Sequence, residues 1–303
     1  MFIALSFIGT LPSYIIECIH QTRLYFHGDI YLIINDMESR FLQNLYKYNI
    51  KIINYLEVID IKFIEVVNKN INKFCIIENL KGREELFIRS FERFFLLHNL
   101  MKEKDLTNCL FLELDNLIYD DPEKWIEGFS KNELCYMYDN NDRCSSGLMY
   151  VKEYKSLEIF LNYILDYINN SNEFLNEMTT LYRYYEMNSN NVEILPTYYN
   201  EESIPKMAIM NYDKYNSIFD ALAIGCYLLG LDPYHTNGMI TLGNKAEWCA
   251  IDYTKDIFEW KIDDKGRRNP YIFDGNNWIK INNLHVHSKD LKSGLSLPIE
   301  ENS

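Results

Sequence analysis

Residues 3–53 read IALSFIGTLPSYIIECIHQTRLYFHGDIYLIINDMESRFLQNLYKYNIKII. Three short apolar runs, Ile3 to Ile8, Ile30 to Ile34 and Ile50 to Ile53, are separated by two stretches with helical spacing. Short runs rich in Ile, without polar alternation, predict strands buried on both faces. Gly9-Thr10-Leu11-Pro12 predicts a turn after the first, and Ile15, Ile16, Ile19 and Leu24 predict the helix that follows. Asn35-Asp36 closes the second strand, and Asp36 is placed to cap a helix whose apolar stripe is Phe41, Leu42, Leu45 and Tyr46. A β-α-β-α-β opening with short links predicts an α/β fold, a parallel sheet with helices on its faces. This opening reads as a nucleotide-binding half.

Outward from that opening, the chain from Tyr55 to Lys81 carries no clear period. Glu84 to Lys102 reads as a buried helix through Leu86, Phe91, Phe94, Phe95 and Leu97, and it leads into a buried strand, Cys109 to Leu112. Pro122 opens a short helix, and Leu134 to Tyr138 and Gly147 to Val151 read as strands. Helical patterns cover Leu157 to Ile168, Glu173 to Met187 and Phe219 to Leu229, the last ended by Gly230 and Pro233. Short strand-like pieces lie around Trp248, Phe258, Tyr271 and Trp278. With no repeat and no long linker, residues 1–292 read as one domain, 1–116 its nucleotide-binding half and 117–292 its second half, to which the resemblance described below assigns the acceptor. Residues 293–303 read as a frayed tail.

Composition narrows the function. Of 303 residues, 48% are hydrophobic, enough for a large core, and the formal net charge is −14. Such a field repels phosphate on average, which argues against a nucleic-acid partner. An anionic substrate would need a metal ion or a few placed cations to cancel that repulsion locally. The seven cysteines form no CxxC pair and read as reduced core residues of a cytosolic protein. The apolar start lacks a basic leader and meets Pro12, so it reads as a buried strand rather than a signal peptide. No apolar run approaches the roughly 20 residues that span a bilayer.

Two segments carry candidate chemistry. Glu113 and Asp115 lie two apart where a buried strand runs out, which would put both carboxylates on one face. In open α/β sheets ligands bind beyond the carboxyl ends of the strands, and two acids there can hold a hard divalent cation. They also read as solvated turn residues. The second segment is Leu284-His285-Val286-His287-Ser288-Lys289. On an extended chain His285, His287 and Lys289 would project to one side, offering imidazole to a Mn²⁺-like ion and a point charge to phosphate. An exposed polar edge strand is the plainer reading.

The order of these pieces resembles the GT-A glycosyltransferases, and in particular uncharacterised glycosyltransferase-like proteins of large DNA viruses. The resemblance rests on Ile8-Gly-Thr-Leu-Pro12, Glu92-Arg-Phe-Phe95, Glu113-Leu-Asp-Asn116, Ser145-Ser-Gly-Leu-Met-Tyr150, Phe219-Asp-Ala-Leu-Ala-Ile-Gly225 and Leu284-His-Val-His-Ser-Lys289. It implies a Rossmann-like, mixed, mainly parallel sheet flanked by helices. It also implies transfer of a sugar from a UDP- or GDP-type donor to a glycan or protein hydroxyl, assisted by Mn²⁺ or Mg²⁺. On that reading Asp115 binds the metal, and Glu113 reaches the ribose or binds the metal through water. His287, or His285 in its place, supplies the late ligand. Lys289 faces the diphosphate, Gly9, Thr10 and Asn116 border the donor, and Arg93 reaches a phosphate or forms a salt bridge. Glu113 departs from the usual first Asp, which leaves the role of that acid open.

If the reaction inverts the anomeric centre, Asp220 is the expected general base; it also reads as a first-turn helix acid. Ser145, Ser146 and Gly147 would line the donor sugar or form a plain turn. Trp248 and Trp260 would stack on an acceptor or pack in the core. Two other readings compete. One is a non-catalytic nucleotide-sugar or glycan-binding protein, in the host cytoplasm or on a virion if the source is viral. The other is a nucleotidyltransferase, disfavoured because no basic residue accompanies Gly9.

Overall fold

The computed structural model describes residues 1–74, 84–199, 203–231, 240–241, 245–246 and 249–299. Strand β1 (Phe2–Phe7) pairs in parallel with β2 (Ile30–Ile34), and β2 with β3 (Lys51–Asn54), so the three predicted runs are neighbours in one sheet. On its other edge β1 pairs in parallel with β4 (Thr107–Leu112), Ala4 opposite Phe111. After the short β5 (Asn116–Ile118) come β6 (Leu134–Asn140) and β7 (Arg143–Glu153). β7 runs antiparallel to β4 and β6, and β8 (Val192–Leu195) lies parallel to β6. The order β3-β2-β1-β4-β7-β6-β8 is the expected mixed, mainly parallel sheet flanked by helices.

Burial explains the run of Ile and Leu. All five residues of β2 are buried, as are Phe2 to Leu5 of β1, because helices leave neither strand a solvent face. The helix Glu84–Glu103 packs on the helices Tyr154–Asn170 and Glu177–Asn188. Aromatic rings bind these layers: Phe63 lies 4.5 Å from Phe95, Phe94 5.4 Å from Phe160, and Phe160 4.7 Å from Tyr184, centroid to centroid. Replacing such a fully buried Phe by Ala costs about 3–5 kcal/mol. Cys18, Cys109, Cys135, Cys144, Cys226 and Cys249 are buried and unpaired, as their apolar settings predict. Among the described residues no helix is long and apolar enough to cross a membrane.

The later chain builds smaller sheets against the large one. β9 (Ser217–Ile218) joins β12 (Phe258–Ile262), β13 (Arg268–Phe273) and β14 (Trp278–Ile281) in the order β12-β13-β14-β9, while β10 (Ile240–Thr241) pairs with β11 (Lys245–Ala246). β15 (Asn283–His285) returns to pair antiparallel with β5, His285 opposite Asn116. This last pairing builds the site.

Three expectations are corrected here. The helix expected from Phe219 starts at Ala223, so Asp220 lies in the turn between β9 and the helix Ala223–Leu229. Asp36 caps no helix; its Oδ2 instead accepts the backbone N–H of Leu11 at 3.0 Å, and Asn35 Oδ1 accepts that of Gly9 at 2.9 Å. The stretch from Ser293 is not frayed through Leu297. Buried Gln21 exchanges hydrogen bonds with Ser296 at 2.8 and 2.9 Å, and the buried Tyr119 hydroxyl donates to Gly294 at 2.7 Å. Polar groups inside the core need partners, and this strap supplies them.

Candidate metal centre

β4 ends at Leu112, and the chain then turns. The Glu113 N–H donates to the Gly147 carbonyl on β7 at 2.9 Å, and the Asn116 N–H closes the turn on the Glu113 carbonyl at 3.0 Å. Asp115 lies within this turn, and its carbonyl accepts the N–H of Val286 at 2.7 Å. That bond continues the β5–β15 ladder and lays the Leu284–Lys289 segment over the acids. Glu113, Asp115 and His285 then offer one carboxylate oxygen each and one imidazole nitrogen, all within 4.8 Å of one another.

The imidazole has a defined orientation. His285 Nδ1 lies 3.0 Å from the Ala221 carbonyl, which can only accept, so Nδ1 carries the hydrogen. Nε2 points the other way, 3.2 Å from Glu113 Oε2 and 3.5 Å from Asp115 Oδ2. The Ala221 carbonyl also accepts the Ser145 hydroxyl at 3.0 Å. Gly147 keeps this crossing close: a Cβ there would lie 3.0 Å from His285 Nδ1 and 3.1 Å from Asn116 Nδ2, so that one of these side chains would have to give.

Charges are arranged around the trio. Lys289 Nζ pairs with Asp115 Oδ2, and Arg93 pairs with Glu113. Burial alone would raise both carboxyls, but Lys289 and His285 hold Asp115 well below the usual carboxylate range, and Arg93 and His285 do the same for Glu113. Burial opposes a charge on His285, yet Asp115 and Glu113 override it and raise the imidazole well above its ordinary value. Lys289 is raised likewise, burial being outweighed by Asp115. In the ion-free chain the site is therefore an array of ionised, paired groups.

The expected one-sided projection of His285, His287 and Lys289 does not occur. The chain leaves the extended form after His285: the His287 N–H donates to the His285 carbonyl and that of Lys289 to the Val286 carbonyl, each at 3.0 Å. Lys289 adopts φ +65°, a left-handed conformation that returns its ammonium to Asp115. His285 thus faces the acids, while the half-buried His287 ring lies 6.3 Å from that of His285, outside the trio.

Arg93, from the helix Glu84–Glu103, donates to Ser146 Oγ at 2.8 Å and to Glu177 at 2.7 Å besides pairing with Glu113, so both terminal nitrogens of its guanidinium are engaged by side chains, while the buried Nε has no hydrogen-bond partner. Asn116 is fully buried, its Oδ1 accepting from Asn283 at 3.0 Å. Gly9, with φ +138°, and exposed Thr10 follow β1. Asp220 is 1% exposed and lies behind His285: Oδ1 accepts from the N–H of Ile224 at 3.0 Å, and Oδ2 from those of Gly225 at 2.7 Å and His285 at 2.9 Å. A carboxylate so enclosed and so fully engaged is not aimed at a substrate hydroxyl. Burial raises its pKa to about 6, the three backbone donors acting in the opposite sense. Trp260 packs edge-on to Tyr119 and under Arg268, and Trp248 lies outside the described residues.

Sequence reasoning did not single out Glu177 and Tyr14. Glu177 begins the helix Glu177–Asn188 and joins Glu113 only through Arg93. The Tyr14 phenol precedes the helix Ile15–Tyr25, and burial and then Asp115 raise its pKa. Neither had a local signal, since both are recruited by contacts distant in sequence.

No family model and no curated protein matches the chain, so the expected kinship with proteins of large DNA viruses gains no support. Among solved structures the chain is similar to mouse xyloside xylosyltransferase 1 in its apo form, with 11% identity, 64% of this chain and 84% of that one covered, and a TM-score of 0.46. It is similar to the galactosyltransferase LgtC in complex with donor and acceptor sugar analogs, at 10% identity, 65% and 74% coverage and a TM-score of 0.42. It is also similar to a cytidylyltransferase from Leptospira borgpetersenii, at 8% identity, 66% and 75% coverage and a TM-score of 0.38. No residue role or reaction follows from likenesses this remote.

Proposed function

We propose that the chain is a metal-dependent glycosyltransferase of the GT-A kind, moving a sugar from a nucleoside-diphosphate sugar to a hydroxyl of a glycan or protein. The observation that carries this reading is the convergence of Glu113, Asp115 and the Nε2 face of His285, with Lys289 beside them.

The donor set fits a divalent ion. With Nδ1–H spent on the Ala221 carbonyl, His285 turns Nε2 toward two carboxylates, and release of the Nε2 proton to an arriving ion would leave that nitrogen placed as a ligand, the arrangement that metal-ligating histidines adopt. Two oxygens and one imidazole nitrogen suit Mn²⁺, and Mg²⁺ somewhat less. Glu113, Asp115 and His285 would hold the ion, and a bound diphosphate would complete its shell. When bound, the ion would stabilise the negative charge that accumulates on the departing nucleoside diphosphate.

This chain's own residues do the rest. Lys289 brings a permanent positive charge to the same place, and at about 4 Å and an effective dielectric near 20 each unit charge pair is worth roughly 4 kcal/mol. Arg93 keeps Glu113 ionised and oriented. The turn at Gly9 and Thr10, fixed by Asn35 and Asp36, would border the nucleotide, whereas Ser145 and Ser146 are buried and spend their hydroxyls on Ala221 and Glu177.

The direct test is a thermal-shift series with UDP, GDP and CMP, each with and without Mn²⁺, followed by a hydrolysis screen of nucleotide-sugars. Stabilisation that needs nucleotide and metal together is expected, with turnover of at least one donor. A chain that no nucleotide–metal pair stabilises, and that hydrolyses no donor, is not this enzyme.

A further inference from the structure

Asp220 has a use other than proton transfer. It is joined to β15 at three points: its Oδ2 accepts the His285 N–H at 2.9 Å, its own N–H donates to Asn283 Oδ1 at 3.1 Å, and its carbonyl accepts Asn283 Nδ2 at 2.9 Å. The same Asn283 amide reaches Asn116 Oδ1 at 3.0 Å, so one buried network ties the Asp220 turn, β15 and β5 together. The next residue, Ala221, supplies the carbonyl that takes His285 Nδ1–H. Gly225 completes the contact, since a Cβ there would fall on the His285 backbone carbonyl, 2.7 Å from its carbon.

We infer that the Asp220-Ala221 turn is a positioning device for His285: the carboxylate fixes the backbone of the residue, and the adjacent carbonyl fixes its ring with Nδ1 protonated and Nε2 toward Glu113 and Asp115. Asp220 is then a positioning residue rather than the general base. This inference rests on the metal-site reading above, and its test separates the two.

Mn²⁺ binding is followed by the electron paramagnetic resonance signal of free Mn²⁺, on the full chain without nucleotide. Asp220→Asn is expected to weaken binding about 10–100-fold, the range for residues that orient metal ligands. Glu193→Gln serves as the structural control, because that buried carboxylate is held by Asn132, Lys214 and Tyr215 on the edge strand β8. It is expected to lower the melting temperature and leave Mn²⁺ affinity unchanged. Wild-type affinity in folded Asp220→Asn, or an equal loss in Glu193→Gln, overturns the inference. Should Asp220→Asn fail to fold, nitrogen-15 NMR of the wild-type histidines decides: His285 Nδ1 is expected to carry its proton with and without Mg²⁺, and a bare Nδ1 overturns the positioning role. A wild type that takes up Mn²⁺ only with UDP or GDP present is compared with the two variants under that condition; one that takes up none even then overturns the transferase reading instead, while the Nδ1 measurement still tests the positioning role.

Discussion

The backbone N–H of Val286 donates to the carbonyl of Asp115 at 2.7 Å. Through this bond the end of the chain completes a site begun at the end of β4. His285 and Lys289, on either side of Val286, reach the acids because the main chain is anchored between them.

Removing the Asp115 charge should disable the site without unfolding the chain. Asp115→Asn is expected to abolish Mn²⁺-dependent stabilisation by nucleotide and to slow donor turnover about 10²–10³-fold, the scale of losing one group that stabilises transition-state charge. Thermal shift and steady-state kinetics measure both; an Mn²⁺ response like that of the wild type would show that the ion binds elsewhere.

Arg93 stands between two largely buried acids, Glu113 and Glu177. Arg93→Ala leaves Glu177 without its cation and Glu113 with His285 alone, and breaking a buried pair this way costs about 3–5 kcal/mol. Urea unfolding should show the lower midpoint. Glu177→Gln, which leaves Arg93 paired with Glu113, should cost clearly less, and equal losses in the two variants would contradict this arrangement.

The Asp220 carboxyl rises from 3.8 to about 6 on folding, through burial against the opposing backbone donors. The folded state therefore holds its proton to higher pH than the unfolded state does. The stability this contributes is full below the unfolded value and is lost as pH rises toward 6, a decline of roughly 3 kcal/mol at one unit per 1.36 kcal/mol. In metal-free protein the advantage of wild type over Asp220→Asn should be larger at pH 4 than at pH 7.5 by that order. Chemical denaturation at the two pH values checks it, and a gap that widened with pH would reverse the sign.

Two glycines give a contrast in steric cost. Gly225→Ala would drive a methyl group into the His285 backbone, whereas a methyl group added at Gly266, at φ +76°, would meet nothing within 4 Å beyond its immediate chain neighbours. Overpacking of this kind costs about 1–3 kcal/mol, and the misplaced strand should also lose Mn²⁺. Gly266→Ala should cost about 1 kcal/mol of backbone strain and keep Mn²⁺ affinity. Differential scanning calorimetry with a metal titration separates the two.

The sheet was legible because its strands carry their own burial signal. Ile30 to Ile34 is apolar at every position since both faces are covered, and the same holds for most of β1, so local composition alone reports them. Glu113 and Asp115 were legible as a pair for a related reason: acids directly after a buried strand mark where its apolar run stops, although the β15 segment then covers them and leaves Asp115 buried. The histidines were only half legible. Period-two reasoning applied to His285, His287 and Lys289 assumed an extended chain, and the turn after His285 undoes that assumption. The helix expected from Phe219 failed in the same way, because Phe219 and Asp220 lead out of β9 before the helix begins at Ala223.

The amino-acid sequence by itself determined the parallel opening of the sheet, the place of the acidic pair at a strand end, and the late histidine–lysine segment that serves it. Each is a matter of which residues are apolar and how they are spaced, and hydrophobic burial acts on that pattern directly. Only the tertiary structure decided that His285 rather than His287 faces the acids, that Arg93 is spent on Glu113 and Glu177, and that Asp220 turns its carboxylate to the backbone of His285. These choices depend on how β15 docks on β5 and where the chain bends beside it. Such partners, far apart in the chain, are selected by the geometry of hydrogen bonds and charge in a closed interior, which local spacing does not encode.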